Sequence, residues 1–222
     1  MVHSDKTGLR NHWDSLYASQ GDTGVSWYQP STIHSLEWID TLLPDRTTSV
    51  IDVGAGASTF VDELLRRGRQ KITLLDQSEV ALRLTQERLL ANADYAAKLS
   101  GINWIHGDLL MSILPRHRFD LWHDRAVFHF FRSKTQRDQY LHRLSHALRP
   151  GGYFIVSTFA ADGPSHCSGL AVMRYSLDEL VSALGADFRL VVQQADRHLT
   201  PSGKYQSFLH ACFRYQPTMP GG

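Results

Sequence analysis

The sequence predicts an α/β fold: a doubly wound, mostly parallel seven-stranded sheet that finishes in an antiparallel hairpin. Three observations predict it. From residue 49 onward, short β-branched runs alternate with helix-forming stretches. The first run, SVIDVG (49–54), opens into a glycine-containing turn that leads into a helix. The last two strand-like runs are separated only by TPSGK (200–204), where Pro201 and Gly203 suit a turn, so they pair as a hairpin rather than through a crossover.

The elements follow in order. NHWDSLYASQGDTGVSWYQP (11–30) carries Trp13, Tyr17, Trp27 and Tyr28 among few aliphatics, so it reads as a lid rather than a core helix. Residues 49–54 form the first strand. Residues 58–67 form a helix, capped by Ser58 or Thr59, with Phe60, Val61, Leu64 and Leu65 on its apolar face and Gly68 at its end. KITLLD (71–76) is the second strand, and 78–98 reads as one long helix. INWIHGD (102–108) and FDLWHD (119–124) are the third and fourth strands. Residues 134–148 form a helix stopped by Pro150 and the Gly151–Gly152 pair, and YFIVSTFA (153–160) is the fifth strand. SLDELVSALG (176–185) is a helix with a Ser176/Glu179 capping box. FRLVVQQADRHL and YQSFLHACFRY make the hairpin, and QPTMPGG reads as a frayed tail.

Bulk properties exclude several classes. A net charge of +1 gives no global pull toward nucleic acid or an anionic membrane. No apolar run approaches the ~20 residues that span a bilayer, and the N-terminus has no signal-peptide core. Two cysteines make no disulfide framework, and a reducing cytoplasm is the expected compartment.

The glycine turn poses the chemical question. Gly54 and Gly56 let a ligand approach the backbone, and the helix that follows turns free N–H groups toward it. The dinucleotide fingerprint G-x-G-x-x-G fails, because Thr59 stands at the third glycine. Asp52, Asp76 and Asp108 each finish a successive strand. Asp76 can accept the two hydroxyls of a ribose, or simply cap the next helix. Asp108 can meet an adenine amino group, or simply open a turn. Together the three acids fit a nucleoside better than three independent turns.

With VIDVGAGAS (50–58), LLDQS (74–78), GDLL (107–110), FDLWHDRAVFHF (119–130), LRPGGYFIVSTF (148–159) and the closing hairpin, the sequence resembles the class I S-adenosylmethionine-dependent methyltransferases. The resemblance covers roughly residues 45–215 and departs mildly at Ser58, where the family usually has a third glycine. It implies a Rossmann-like fold and S-adenosylmethionine as cofactor, with S-adenosylhomocysteine as its product. It implies one domain over 1–222, with 1–45 a lid and substrate segment and 46–215 the cofactor-binding core. Asp52, Gly54 and Gly56 would hold the methionine part, and Asp76 the ribose. Gln77 would lie near the adenine, and Asp108 with the Leu109 backbone would read its edge. Asp124 would position the methionine ammonium through its carbonyl or side chain. The Trp-Asp-x-x-Tyr stretch is also similar to the N-terminal segment of small-molecule methyltransferases, including thiol types.

On the acceptor side, Trp13, Tyr17 and Trp27 are candidates to face the cationic sulfonium, with Tyr28 on the substrate. Arg125, Phe128, His129 and Phe130 would line the opening. His129 is the candidate general base beside Arg125, and its alternative is a packed histidine. Phe159 and His166 are further substrate candidates, the latter in a second lid, ADGPSHCSGL (161–170). The His166–Cys167 pair lacks the spaced ligands of a zinc site, and no metal is expected. The leading reading is a methyltransferase acting on a small-molecule acceptor, as a monomer or weak homodimer. A protein lysine methyltransferase is the first alternative. An NAD(P)-dependent oxidoreductase and a binding module without activity come after it.

Overall fold

The computed structural model describes residues 3–29 and 31–218, with side chains from residue 8 onward. In chain order the elements are α1 (His3–Gln20), α2 (Ile33–Leu42), β1 (Val50–Val53), α3 (Phe60–Arg66), β2 (Ile72–Asp76), α4 (Glu79–Leu90), α5 (Ala93–Ala96) and β3 (Ile102–His106). They continue with β4 (Phe119–Arg125), α6 (Lys134–Ala147), β5 (Leu148–Phe159), β6 (His166–Cys167), β7 (Leu170–Ala171), α7 (Leu177–Leu184), β8 (Phe188–Leu199) and β9 (Tyr205–Tyr215).

Seven strands form one sheet in the order β3-β2-β1-β4-β5-β9-β8, and β6 with β7 forms a small hairpin. The β1, β2, β3, β4 and β5 pairings are parallel. The β5–β9 and β8–β9 pairings are antiparallel, as the TPSGK turn predicts. Both faces are covered. Tyr140 and Leu144 of α6 and Leu180 of α7 pack on one, beside Trp122 and Phe154. Leu36 of α2, Phe60 and Leu64 of α3 and Leu89 of α4 pack on the other, beside Val50 and Cys212. Strand order reverses between β1 and β4, and in such sheets the ligand crevice lies beyond the strand ends at that reversal.

Several local expectations need correction. The N-terminal segment is helical: α1 presents Leu9, Trp13 and Tyr17 four residues apart, one face of a helix carried by aromatics. α2 also lies in this segment and buries Leu36 and Ile39. The long helix expected over 78–98 breaks after Leu90, where the Asn92 side chain accepts from Asp94 N and starts a new turn. β3 ends at His106, so Asp108 lies beyond the strand. β5 begins at Leu148 and includes Pro150, because the residue before a proline favours extended backbone. Within the expected tail, Gln216 N and Thr218 N donate to the Asp187 backbone oxygen and side chain, whereas 219–222 lie outside the described residues.

Candidate active site

The glycine turn follows β1, and its shape depends on two left-handed residues. Gly54 has φ +59° and Gly56 has φ +55°. A Cβ on Gly54 would stand 2.1 Å from Val127 Cγ2, and one on Gly56 would stand 2.2 Å from Tyr17 Oη. Asp76, at the end of β2, fixes the same turn. Its Oδ2 accepts from Gly56 N at 2.7 Å and its Oδ1 accepts from Ser78 N at 2.7 Å. Burial raises the Asp76 carboxyl to about 6, although these two N–H donors act the other way. Ser78 caps α4 by accepting from Ala81 N, and its hydroxyl donates to Asp14 Oδ1 at 2.6 Å. The acid at the end of β2 thereby ties the turn to its own helix, and Ser78 latches α1 over it.

Beyond these strand ends lies a cavity of about 580 Å³. Gly54, Leu75, Asp76, Gln77, Asp108 and Leu109 form one side of its wall. Leu9, Trp13 and Tyr17 of α1 and Trp27 form the cover. The rings meet edge to face: Trp13 lies 5.7 Å from Trp27 and 5.4 Å from Phe130, and Tyr17 lies 6.0 Å from Trp27. Burial raises the Tyr17 phenol far above its ordinary value, so it stays neutral.

The acceptor side is built from the segment after β4 and from the β6–β7 hairpin. Arg125, Val127, Phe130 and Phe131 line it from the first, and Cys167, Leu170 and Ala171 from the second. Ser168 (φ +52°) and Gly169 (φ +78°) make the two-residue turn between the paired Cys167 and Leu170. Two left-handed residues are what such a tight hairpin needs. The cavity-lining Cys167 is buried, and burial raises its thiol to about 11. Arg125 Nη1 donates to the Trp27 carbonyl at 2.8 Å, and its guanidinium lies 5.6 Å from the Phe208 ring centre. Its Nε and Nη2 find no partner among the described residues. Burial lowers its pKa to about 10, which still leaves it cationic at neutral pH.

The remaining expected site residues stand away from this wall, each for a visible reason. Asp52 is buried and accepts from His123 Nδ1 at 2.7 Å, with Ser35 Oγ 3.1 Å from the other ring nitrogen. The Asp124 side chain is fully engaged: Oδ1 accepts from Val127 N and Phe128 N, and Oδ2 accepts from Tyr140 Oη at 2.6 Å. Phe128 is fully buried against Tyr140 and Tyr175, and Phe159 against Phe208 and His129. Tyr28 packs beside Tyr17 and Val25. His166 is exposed and 3.1 Å from Ser165 Oγ. His129 has no exposure and stands outside the cavity wall, and burial together with the nearby Arg125 charge pulls its pKa down to about 3, so the ring stays neutral and only weakly basic. These positions do not fit the base and substrate contacts expected of them. Gln136, Arg132, Leu110 and Ala126 line the cavity without having been expected to. The wall that Cys167 and Leu170 build belongs to the stretch ADGPSHCSGL (161–170), which the sequence reading takes as a second lid.

The donor set suits a nucleoside attached to a cationic sulfur. A buried carboxylate faces the cavity beside the glycine turn, a second acid lies beyond β3, and aromatic rings cover the middle.

Comparison with known proteins agrees. A methyltransferase-domain family model matches residues 50–152. The chain is 26% identical over 166 residues to EEF1A lysine methyltransferase 2 of Danio rerio, covering 69% of each chain. It is 32% identical over 140 residues to an uncharacterized methyltransferase of Mycobacterium tuberculosis, covering 63% of this chain and 64% of the relative. Among solved structures, it is similar to the 1,6-didemethyltoxoflavin-N1-methyltransferase of Burkholderia thailandensis, which holds 1,6-didemethyltoxoflavin and S-adenosylhomocysteine. The TM-score is 0.75 and the identity 22%, over 98% of this chain and 91% of that one. It is also similar to the N-methyltransferase NodS of Bradyrhizobium japonicum bound to S-adenosylhomocysteine, with TM-score 0.67 and 17% identity over 93% of this chain and 100% of that one. The strand order, the glycine turn with its strand-end acids and these likenesses lead to one conclusion: residues 50–152 match the methyltransferase-domain family, and the chain has the Rossmann-like fold of S-adenosylmethionine-dependent methyltransferases.

Proposed function

We propose that the acceptor is a small molecule enclosed with the cofactor. The observation that carries this reading is the cover: α1, Trp27 and the β6–β7 hairpin all line one cavity, and the Trp13 ring meets those of Trp27 and Phe130 edge to face. A long peptide needs an open cleft instead. The Arg125 guanidinium in the wall also disfavours an ammonium and favours an acceptor carrying negative charge or an acidic proton.

The cofactor supplies a methyl group made electrophilic by its sulfonium. The protein's own work is binding, alignment and exclusion of water. In this reading Asp76 accepts the ribose hydroxyls, while Gln77, Asp108 and Leu109 border the adenine end. Gly54 and Gly56 shape the turn beside the methionine part. Trp13, Tyr17 and Trp27 cover the reacting centre and keep water out of it. Holding nucleophile, methyl and sulfur in line contributes several kcal/mol on general grounds. His129 does not line the cavity, so this reading assigns it no proton transfer and has the acceptor bind in its nucleophilic form.

The similarity to EEF1A lysine methyltransferase 2 favours a second reading, transfer to a protein lysine. Methyl-labelled S-adenosylmethionine, incubated with the protein and a cell extract split by size, tests both. Label in the small-molecule fraction supports enclosure, and label confined to a protein band overturns it.

A further inference from the structure

A second polar cluster lies outside the cofactor cavity, under the first turn of α2. His34 Nε2 stands 3.5 Å from Asp196 Oδ2, and the rings of His34 and His210 are 5.1 Å apart. One ligand atom from each of the three residues lies within 4.8 Å of the other two. The fold explains the meeting. His210 on β9 pairs with Gln194 on β8, which puts Asp196 two residues along on the same face. His34 reaches down from α2. The cluster lines a small cleft with Ser31, Ser157 and Arg125, and Arg125 also lines the cofactor cavity.

We propose that His34, Asp196 and His210 bind one divalent transition-metal ion of the zinc class. Two imidazoles and a carboxylate are zinc ligands, with bonds near 2.0–2.2 Å. Tetrahedral bonds of that length separate neighbouring ligand atoms by about 3.3–3.5 Å. The His34–Asp196 spacing already matches, and a modest inward movement of His210 or His34 completes the set. The support around the set also fits a metal. Ser157 Oγ lies 2.7 Å from His210 Nδ1, so a proton on Nδ1 donated to that hydroxyl leaves the Nε2 lone pair for the ion. Arg197 N donates to Asp196 Oδ1 and leaves Oδ2 turned toward His34. Three protein ligands leave one position for water or an anion, and the Arg125 guanidinium in the same cleft favours the anion.

The test uses the untagged full chain, dialysed against a chelator and titrated with Zn²⁺ by calorimetry and with Co²⁺ by visible absorption. One ion per chain is expected, with a cobalt band of tetrahedral intensity. His34→Ala and Asp196→Asn, both at partly exposed positions, should each weaken binding at least tenfold. S-adenosylhomocysteine affinity should stay unchanged in both variants, which separates this site from the cofactor cavity. Absence of stoichiometric binding, or binding that survives both substitutions, overturns the proposal.

Discussion

Gly56 N donates to Asp76 Oδ2 at 2.7 Å, so the turn after β1 and the acid after β2 form one unit. Asp76→Ala should therefore weaken S-adenosylhomocysteine binding at least tenfold, about 1.4 kcal/mol or more. Asp76→Asn keeps one acceptor oxygen for the two N–H donors and should fall between. Calorimetry on both variants checks the order, and equal affinity in all three proteins would remove Asp76 from the ribose site.

The same carboxyl sets a pH dependence. Its pKa is raised to about 6, and ribose hydroxyls donate better to the ionised form. Cofactor affinity should therefore rise from pH 5 to 7 and then level off, and the step should vanish in Asp76→Asn. Stability moves the other way. Asp76 and Asp124 both sit near 6 when folded, against about 4 when unfolded. The folded state binds more protons between those values, so this contribution to stability is lost as pH rises from about 4 to 6. Chemical denaturation across that range measures it.

Gly56→Ala should be costly twice over, through its positive φ and through the close Tyr17 hydroxyl. A loss of about 2 kcal/mol is expected. Adding Tyr17→Phe removes the nearest atom, so the double variant should recover part of the loss. Strictly additive losses would show that Tyr17 does not set the spacing.

Trp122 Nε1 donates to Tyr140 Oη at 3.0 Å, and Tyr140 in turn donates to Asp124. Tyr140→Phe leaves a buried donor and a buried carboxylate oxygen without that partner, which should cost about 2–4 kcal/mol. Urea unfolding reads the loss.

Trp13→Ala removes a ring that meets both Trp27 and Phe130 over the cavity. Once an acceptor is identified, turnover should fall at least tenfold, with a smaller change in melting temperature. A variant that melts early but turns over normally below its transition would make Trp13 a packing residue.

The sheet was readable because its signals are local. β-branched runs, the Ser176 capping box and the TPSGK turn each act within a few residues. α1 was not readable as a helix, because its face is made by Trp13 and Tyr17 rather than by aliphatics. Asp76, Asp108 and Gly54 could be placed at the cavity because strand ends fix where the crevice opens. Asp52 and Asp124 stand at strand ends too, yet long-range partners claim their side chains. His123 holds the first and Tyr140 the second, and no spacing in the chain announces either. The same applies to His34, Asp196 and His210, which three separate elements bring together.

The Ser168–Gly169 turn places Cys167 on the cavity wall, while the chain's other thiol, Cys212, is sealed inside the sheet. The chain thus carries its own chemical stopwatch. At neutral pH both sulfurs are protonated, since burial holds them near 11 and 12. An alkylating reagent that enters the cavity should mark Cys167 well before Cys212, and the rate of marking reports how freely the cavity admits it without any attached probe.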